Sequence, residues 1–464
     1  MASAPPLRRT TSGQVPSLRE HALVPVGMAT ILPEAARQVR HLEAELLTCC
    51  NRFGYDEIIL PTFEYLDVLA PGLEPTLLEN SYKIVDRTTG RILLLRPDVT
   101  AQIARTVAMG MVGAQFPLRL SYRATVFRYE PEHAGRGREI FQVGAELIGA
   151  DDPSADCEII MLLIECLRQI GLHSFKISLG HVGFFKALLV RAGLSTDGRK
   201  RAEEAAARKD LPRLEEILSR ERVTKWSVHG ILNALELCGQ ADVLSKGRVL
   251  AKGEPALVQA LDRLENVYRL LCTAGSQDVV MLDLGEFRGF DYYDGIVFDV
   301  FTDGIGVELG GGGRYDHLIG RFGRNLASTG FALNVDRLFR GLEPHGSVKS
   351  VGPEVLVVGP PECSTTLVLV AQELRKAGIR TVQQTVDSTG RSLIGTAVKV
   401  GRASAIDTIV VVGVDNPKPD HAMLLHLDGP RQGAESIGRP RIHKKTLPIP
   451  ALVASLRADR EGVL

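Results

Sequence analysis

The sequence predicts an α+β fold: a mostly antiparallel sheet flanked by helices, interrupted by a helical insertion and followed by a small C-terminal α/β domain. Three observations carry that expectation. Short runs rich in β-branched and aromatic residues follow one another on either side of the insertion without regular intervening helices, which favours antiparallel pairing over a doubly wound parallel sheet. Between about residues 184 and 274 the composition turns to Ala, Leu, Glu and Arg at helical periodicity. Beyond Gly352, apolar strands such as EVLVVG and DTIVVVGVD alternate with the amphipathic stretch TTLVLVAQELRKAG.

In chain order, residues 1–22 carry Pro, Ser and Arg but no continuous apolar segment of about 7–15 residues, so a flexible lead is expected rather than a secretory signal or membrane anchor. After Pro33, EAARQVRHLEAELLTCCNRFGY places apolar residues at helical spacing and stops at Gly54, a natural C-cap. EIILPTFEYLDVL then reads as one strand interrupted at Pro61, since proline removes a ladder donor. Further strands are expected at Ile92–Leu95, Leu118–Phe127, 141–147, 176–179, 279–283, Ile296–Phe301 and 306–309. The polar, Gly-containing segment HGSVKSVGPE at 345–354 has the character of a domain boundary. The expected organisation is therefore a lead at 1–22, a core domain at 23–345 containing the insertion, and a domain at 352–464.

Composition excludes several classes of function. With 55 Lys plus Arg against 55 Asp plus Glu, no global positive field exists to draw in a polyanion. The seven cysteines form no CxxC pair and no Cys/His spacing suited to a metal, so reduced thiols in a cytoplasmic protein without metal or cofactor are expected. Apolar runs are broken by charge too soon to span a bilayer, so no membrane contact is expected.

Four clusters carry candidate chemistry. In LRPDVTAQIAR, a strand gives way at Pro97 to a helix beginning near Thr100, where Asp98 and Thr100 can either cap free N–H groups or accept from a ligand ammonium. In TVFRYEPEHAGRGREIFQVGAE, Arg128 offers a planar fork for phosphate or carboxylate, and Gln142 and Glu146 fall on the same side of a strand. A Gln and a Glu side by side are poor core residues and good partners for an amino group, although an ordinary polar hairpin also fits. The third cluster, DLGEFRGFDYYDGIVFDVF followed by ELGGGGRYDHLIGRFG, offers the Tyr292–Tyr293 pair and four glycines, Gly310 to Gly313. Those glycines suit either close approach of backbone to a ligand or a bulge or tight turn. In STGFALNVDRL a glycine precedes a helix that presents Arg337, either to a ligand or only to solvent.

Together and in this order, the four clusters resemble the class II aminoacyl-tRNA synthetase core, specifically its histidyl branch. Motif one is similar to the stretch ending at Pro61, motif two to 127–146 with Phe127, Arg128 and Glu130 at its start, and motif three to 330–337. RGFDYY at 288–293 and GGGRYD at 311–316 resemble the histidine-specific signatures. The resemblance covers roughly residues 25–340 outside the insertion, and the C-terminal strand-helix alternation is similar to the synthetase anticodon-binding domain. It implies a class II synthetase-like sheet, histidine contacts at Asp98, Thr100, Gln142, Glu146, Tyr292 and Tyr293, and phosphate-binding arginines at Arg128 and Arg337. Arg288 matches the arginine near the reacting carboxylate and joins the expected histidine-binding set.

The departures from the synthetase pattern point to one branch. Asp98 stands where synthetases carry glutamate, which withdraws the carboxylate by about 1 Å in a site where such shifts matter. Pro131, Glu132 and His133 replace an Arg-Pro-Gln sequence that touches the tRNA end, placing an anion beside RNA phosphate. Asn334 and Asp336 stand where synthetases have Gly and Glu, and a side chain in place of that glycine crowds a nucleotide. These departures resemble the synthetase-like regulatory subunits of ATP phosphoribosyltransferase, as does ARKDLPRLEEIL in the insertion. That resemblance implies a non-catalytic subunit that partners the short-form catalytic subunit of ATP phosphoribosyltransferase, binds histidine as allosteric ligand, forms homodimers within a hetero-oligomer, and does not engage tRNA. A working histidine–tRNA ligase is the alternative.

Overall fold

The computed structural model describes residues 24–111, 113–129, 137–286, 292–342, 355–414, 421–427 and 442–461. The expected lead, the 131–133 loop, Arg288 and the 345–354 link lie outside the described residues. The chain divides into two compact units, Met1–Ser347 and Val348–Leu464.

The first unit is built on a nine-stranded sheet. Its strands run, in spatial order, Asp56–Glu57, Leu118–Phe127, Glu139–Ile148, Ser328–Asn334, Gly310–Arg314, Ile296–Phe301, Lys176–His181, Val280–Asp283 and Cys238–Gly239. Asp56–Glu57 joins its neighbour in parallel, as does Val280–Asp283 with Lys176–His181, and the other pairs are antiparallel. Strand alternation sorts the two faces. In Glu139–Ile148, Val143, Ala145 and Leu147 enter one core with Leu42, Leu46, Ile159 and Leu163 of helices Pro33–Arg52 and Pro153–Gln169. The even positions, Gln142, Gly144 and Glu146, point the other way, where Ile140, Ile148 and Tyr122 join a second core with helix Val99–Met109. A three-stranded sheet of Phe63–Tyr65, Ile92–Leu95 and Lys83–Val85 adjoins that second core through Leu94.

The insertion is helical, running through Val182–Arg191, Thr196–Ala207, Leu211–Arg220, Lys225–Glu236, Asp242–Leu250 and Pro255–Thr273, with Cys238–Gly239 returning to the sheet edge. Its buried leucines, among them Leu214, Leu257, Leu261 and Leu264, belong to the same core as the sheet's first face. Asp156, fully buried in helix Pro153–Gln169, ties the last insertion helix to the sheet: it meets Arg263 at 2.7 Å and Arg314 at 2.8 Å.

Two expectations are corrected. EIILPTFEYLDVL is not one strand but three pieces: Asp56–Glu57 pairs in the large sheet and stops before Pro61, Phe63–Tyr65 pairs in the small sheet, and Leu66–Leu69 is a helical turn. Residues 306–309 are irregular, and the neighbouring strand is the glycine run itself, Gly310–Arg314. The reason is lateral crowding. A Cβ on Gly312 would stand 1.9 Å from the carbonyl oxygen of Gly330, and one on Gly313 would stand 2.9 Å from the Tyr293 ring. The glycines let strands and tyrosines approach one another; they form no ligand-cradling loop.

The second unit is a five-stranded sheet ordered Thr381–Thr385, Val355–Gly359, Thr408–Val411, His421–Leu427, Ile442–Pro448. The first three strands are parallel and the last two antiparallel. Val355 and Val357 face helices Ser364–Lys376 and Ile449–Glu461, whereas Leu356 and Val358 face helix Gly390–Ala403, so both sheet faces are covered.

Candidate functional site

The second face of the large sheet gathers polar side chains between helix Val99–Met109 and the Tyr292–Tyr293 turn. Proline at 97 disfavours helical geometry before it, and the chain turns there from strand to helix. Asp98 is the N-cap: one oxygen accepts from the backbone N–H of Ala101 at 2.9 Å. Its other oxygen lies 3.5 Å from the Tyr292 hydroxyl and 3.8 Å from the Arg128 guanidinium. Arg128 is oriented by donating from Nε to the Pro97 carbonyl at 2.8 Å. Asp98 thus both caps and faces the site, while Thr100, one step inside the helix, does not cap: its hydroxyl donates to Glu146 Oε1 at 2.9 Å.

Glu146 is fully buried. Its second oxygen accepts from the Tyr315 hydroxyl at 2.5 Å. Room for this carboxyl depends on glycine in the neighbouring strand, because a Cβ on Gly330, the residue paired with Glu146, would sit 1.6 Å from Oε2. Burial pushes the carboxyl up to about 8, against the two hydroxyl donors that favour the charged form, and the nearby Asp98 charge adds to the rise. Two residues earlier on the same face, Gly144 accommodates Tyr122, whose hydroxyl would be 2.4 Å from any Cβ there. Gln142, also on this face, donates from Nε2 to Asn334 Oδ1 at 3.0 Å, its cross-strand partner.

The wall is aromatic. Tyr292 and Tyr293 are both buried, with ring centroids 4.7 Å apart, and Tyr315 meets Tyr292 edge-on at 6.0 Å. Burial holds the hydroxyls of Tyr122, Tyr292 and Tyr315 well above their usual range, reinforced by the Asp98 charge at Tyr122 and Tyr292 and by the Glu146 carboxyl beside Tyr315, so they are neutral donors. The cluster brings together aromatic rings, two carboxyl groups and an amide, groups suited to a small ligand with a flat ring and several N–H donors.

Of the residues singled out in the sequence, Thr100 with Glu146, and Asp98 with Arg128, Tyr292 and Tyr293, form two groups of contacts joined through Tyr315, and Gln142 shares the sheet face of Glu146. Arg337 is engaged elsewhere: its guanidinium donates to the Glu308 carbonyl at 2.6 Å and to the Glu308 carboxylate at 2.7 Å. Gly330, expected as the lead-in to a helix, is mid-strand, and the helix starts only at Val335. Tyr315, Tyr122 and Asn334 belong to the site but were not among the expected ligand contacts. Tyr315 lies inside GGGRYD, and Tyr122 is revealed only by pairing, since it stands directly opposite Gly144. Among the described residues, no His, Cys, Asp and Glu group is arranged to hold a metal, and no helix is long and apolar enough to cross a membrane.

Comparison with known proteins bears on this geometry. The family described as Histidyl-tRNA synthetase matches residues 27–338. An ATP phosphoribosyltransferase regulatory subunit from Desulforamulus reducens is 38% identical over 77% of this chain and 88% of its own length. The regulatory subunit from Geobacter metallireducens is 34% identical over 88% and 93%. A crystal structure of an ATP phosphoribosyltransferase regulatory subunit/histidyl-tRNA synthetase from Bacillus halodurans superposes with a TM-score of 0.73 at 28% identity, covering 85% of this chain and 98% of that one. Histidyl-tRNA synthetase from a Nostoc species shares the fold, with a TM-score of 0.75 at 19% identity over 94% of this chain and 99% of that one.

Proposed function

The chain belongs to the histidyl-tRNA synthetase-like family, in its branch of ATP phosphoribosyltransferase regulatory subunits, and from that premise we propose that it senses free histidine on behalf of a separate catalytic subunit. Histidine occupies the slot between Asp98, Thr100, Gln142, Glu146, Tyr292 and Tyr293, with Arg288 at its carboxylate. Occupancy then shifts a conformational equilibrium that lowers the activity of the short-form catalytic subunit, which requires that histidine bind the restrained state more tightly than the active one. The subunit itself catalyses nothing and charges no tRNA.

The observation that supports this reading is the uneven state of the two halves of the site. The acceptors and aromatic walls suited to an amino acid converge within hydrogen-bonding reach, whereas Arg337, matched to a phosphate-binding position, is neutralised by Glu308, and the Asn334 side chain is joined to Gln142. A homodimer within the larger assembly is part of the proposal. Phe63 and Ile84, 44% and 47% exposed on the small sheet, offer an apolar face for a second copy to cover.

The test is reconstitution with the short-form catalytic subunit. Phosphoribosyl transfer should depend on this chain and fall when histidine is added, and no histidyl-tRNA should form with histidine, ATP and tRNA present. Efficient charging of tRNA would replace the regulatory reading with a ligase.

A further inference from the structure

Among the described residues, no cation meets the Glu146 carboxyl group. It is fully buried, and both of its hydrogen-bond donors, Thr100 and Tyr315, are neutral hydroxyls. The groups facing this part of the slot come from five elements. Helix Val99–Met109 and its cap bring Thr100 and the Asp98 carboxylate; strand Leu118–Phe127 brings Tyr122; the 292–293 turn brings two tyrosines; Tyr315 follows the glycine strand; and Gln142, joined to Asn334, lies two positions along. Arg128 brings a positive charge to this face, and it stands against Asp98 and the Pro97 carbonyl. A carboxylate at position 146 would therefore be a buried charge beside a second negative group, which is costly unless the group keeps its proton or a cation enters.

Resting on the histidine-sensing reading, we propose that Glu146 is protonated in the empty pocket and transfers that proton to the neutral imidazole of an entering histidine, which is then held as imidazolium against carboxylate. Tyr293 is tilted against Tyr292, and Tyr315, which donates to this carboxyl, meets Tyr292 edge-on; aromatic surroundings of this kind favour a flat ring over the flexible α-amino end. The O–H bond of the carboxylic acid breaks, an N–H bond forms on the imidazole, and no proton is exchanged with solvent.

The proton count dictates the pH profile. Free imidazole is neutral above about pH 6.5, and Glu146 of the empty pocket keeps its proton up to about pH 8. Between those limits the free partners together carry the single proton found in the complex, so affinity is level. Below them one proton must be released on binding, and above them one must be taken up, so affinity falls by about tenfold per pH unit on either side. In Glu146→Gln the upper limb disappears. Any contribution from the ligand's own α-ammonium is common to both proteins.

The experiment uses the full chain with histidine labelled with nitrogen-15 in both ring positions. At pH 8, where the free ring is neutral, bound histidine should show imidazolium nitrogen shifts; bound to Glu146→Gln it should show a neutral ring and an affinity about 10- to 100-fold lower. Titration of the wild type in two buffers of different ionisation heat at pH 7.3 should reveal no net proton exchange. A neutral ring in the wild-type complex overturns the proton transfer while leaving histidine sensing intact. Absence of any bound histidine overturns both.

Discussion

Replacing Glu146 by glutamine should stabilise the ligand-free protein at high pH and leave it unchanged at low pH, the reverse of what removal of a paired carboxylate does. In the folded chain burial raises this carboxyl from 4.5 to about 8. The native state therefore holds a proton that the unfolded chain has lost, and stability is fully present below pH 4.5 and declines as pH rises through 8. Integrating that difference from pH 5 to pH 8 gives about 4 kcal/mol, an order-of-magnitude figure at 1.4 kcal/mol per unit. Glutamine has nearly the same shape, can keep partners in Thr100 and Tyr315, and does not titrate, so the mutant should lack this decline. All nine tyrosines and the single tryptophan lie between Tyr55 and Tyr315, within the first unit, so near-ultraviolet signals follow its unfolding without interference from the second. Urea titrations of both proteins at pH 5, 6.5 and 8 without histidine should show an advantage for Glu146→Gln that grows with pH. An advantage independent of pH, or a mutant that grows relatively less stable as pH rises, would mean that Glu146 is ionised in the fold and the buried-proton argument is wrong.

Other expectations follow from the same geometry. Gln142→Ala should raise the histidine concentration needed for half-inhibition of the reconstituted enzyme by about tenfold, equivalent to one lost hydrogen bond, with assembly by size-exclusion chromatography unchanged. Gly330→Ala drives a methyl into the Glu146 carboxyl and should cost about 2–4 kcal/mol in urea unfolding together with loss of histidine binding. Arg263→Met leaves Asp156 with Arg314 alone and should lower stability by about 1–3 kcal/mol, measured by the same titration. His181 caps helix Val182–Arg191 by accepting from Gly183 N–H, and burial followed by the Arg263 charge lowers it to about 4. Its contribution is present above pH 6.5 and lost as pH falls through 4, so His181→Asn, which keeps a cap, should flatten the acid limb of a thermal unfolding profile.

The sequence alone determined the class of fold, because hydrophobic period and turn chemistry are local properties. Strands Ile92–Leu95, Leu118–Phe127 and Ile296–Phe301 have the expected limits, and the helical insertion stands where composition changes. It also determined that Gln142 and Glu146 share a face, since parity along a strand needs no knowledge of neighbours. The order of its motifs identified the family. Only tertiary structure decided what the glycines are for, which arginine stands beside Asp98 and which is spent on Glu308, and that Tyr122 and Tyr315 join the polar cluster around Glu146. Those outcomes depend on strand register: Gly330 opposite Glu146, Gly144 opposite Tyr122 and Asn334 opposite Gln142 are pairings between segments as many as 192 residues apart. Cross-strand register is set by packing over the whole sheet, and the spacing of residues along one segment does not contain it.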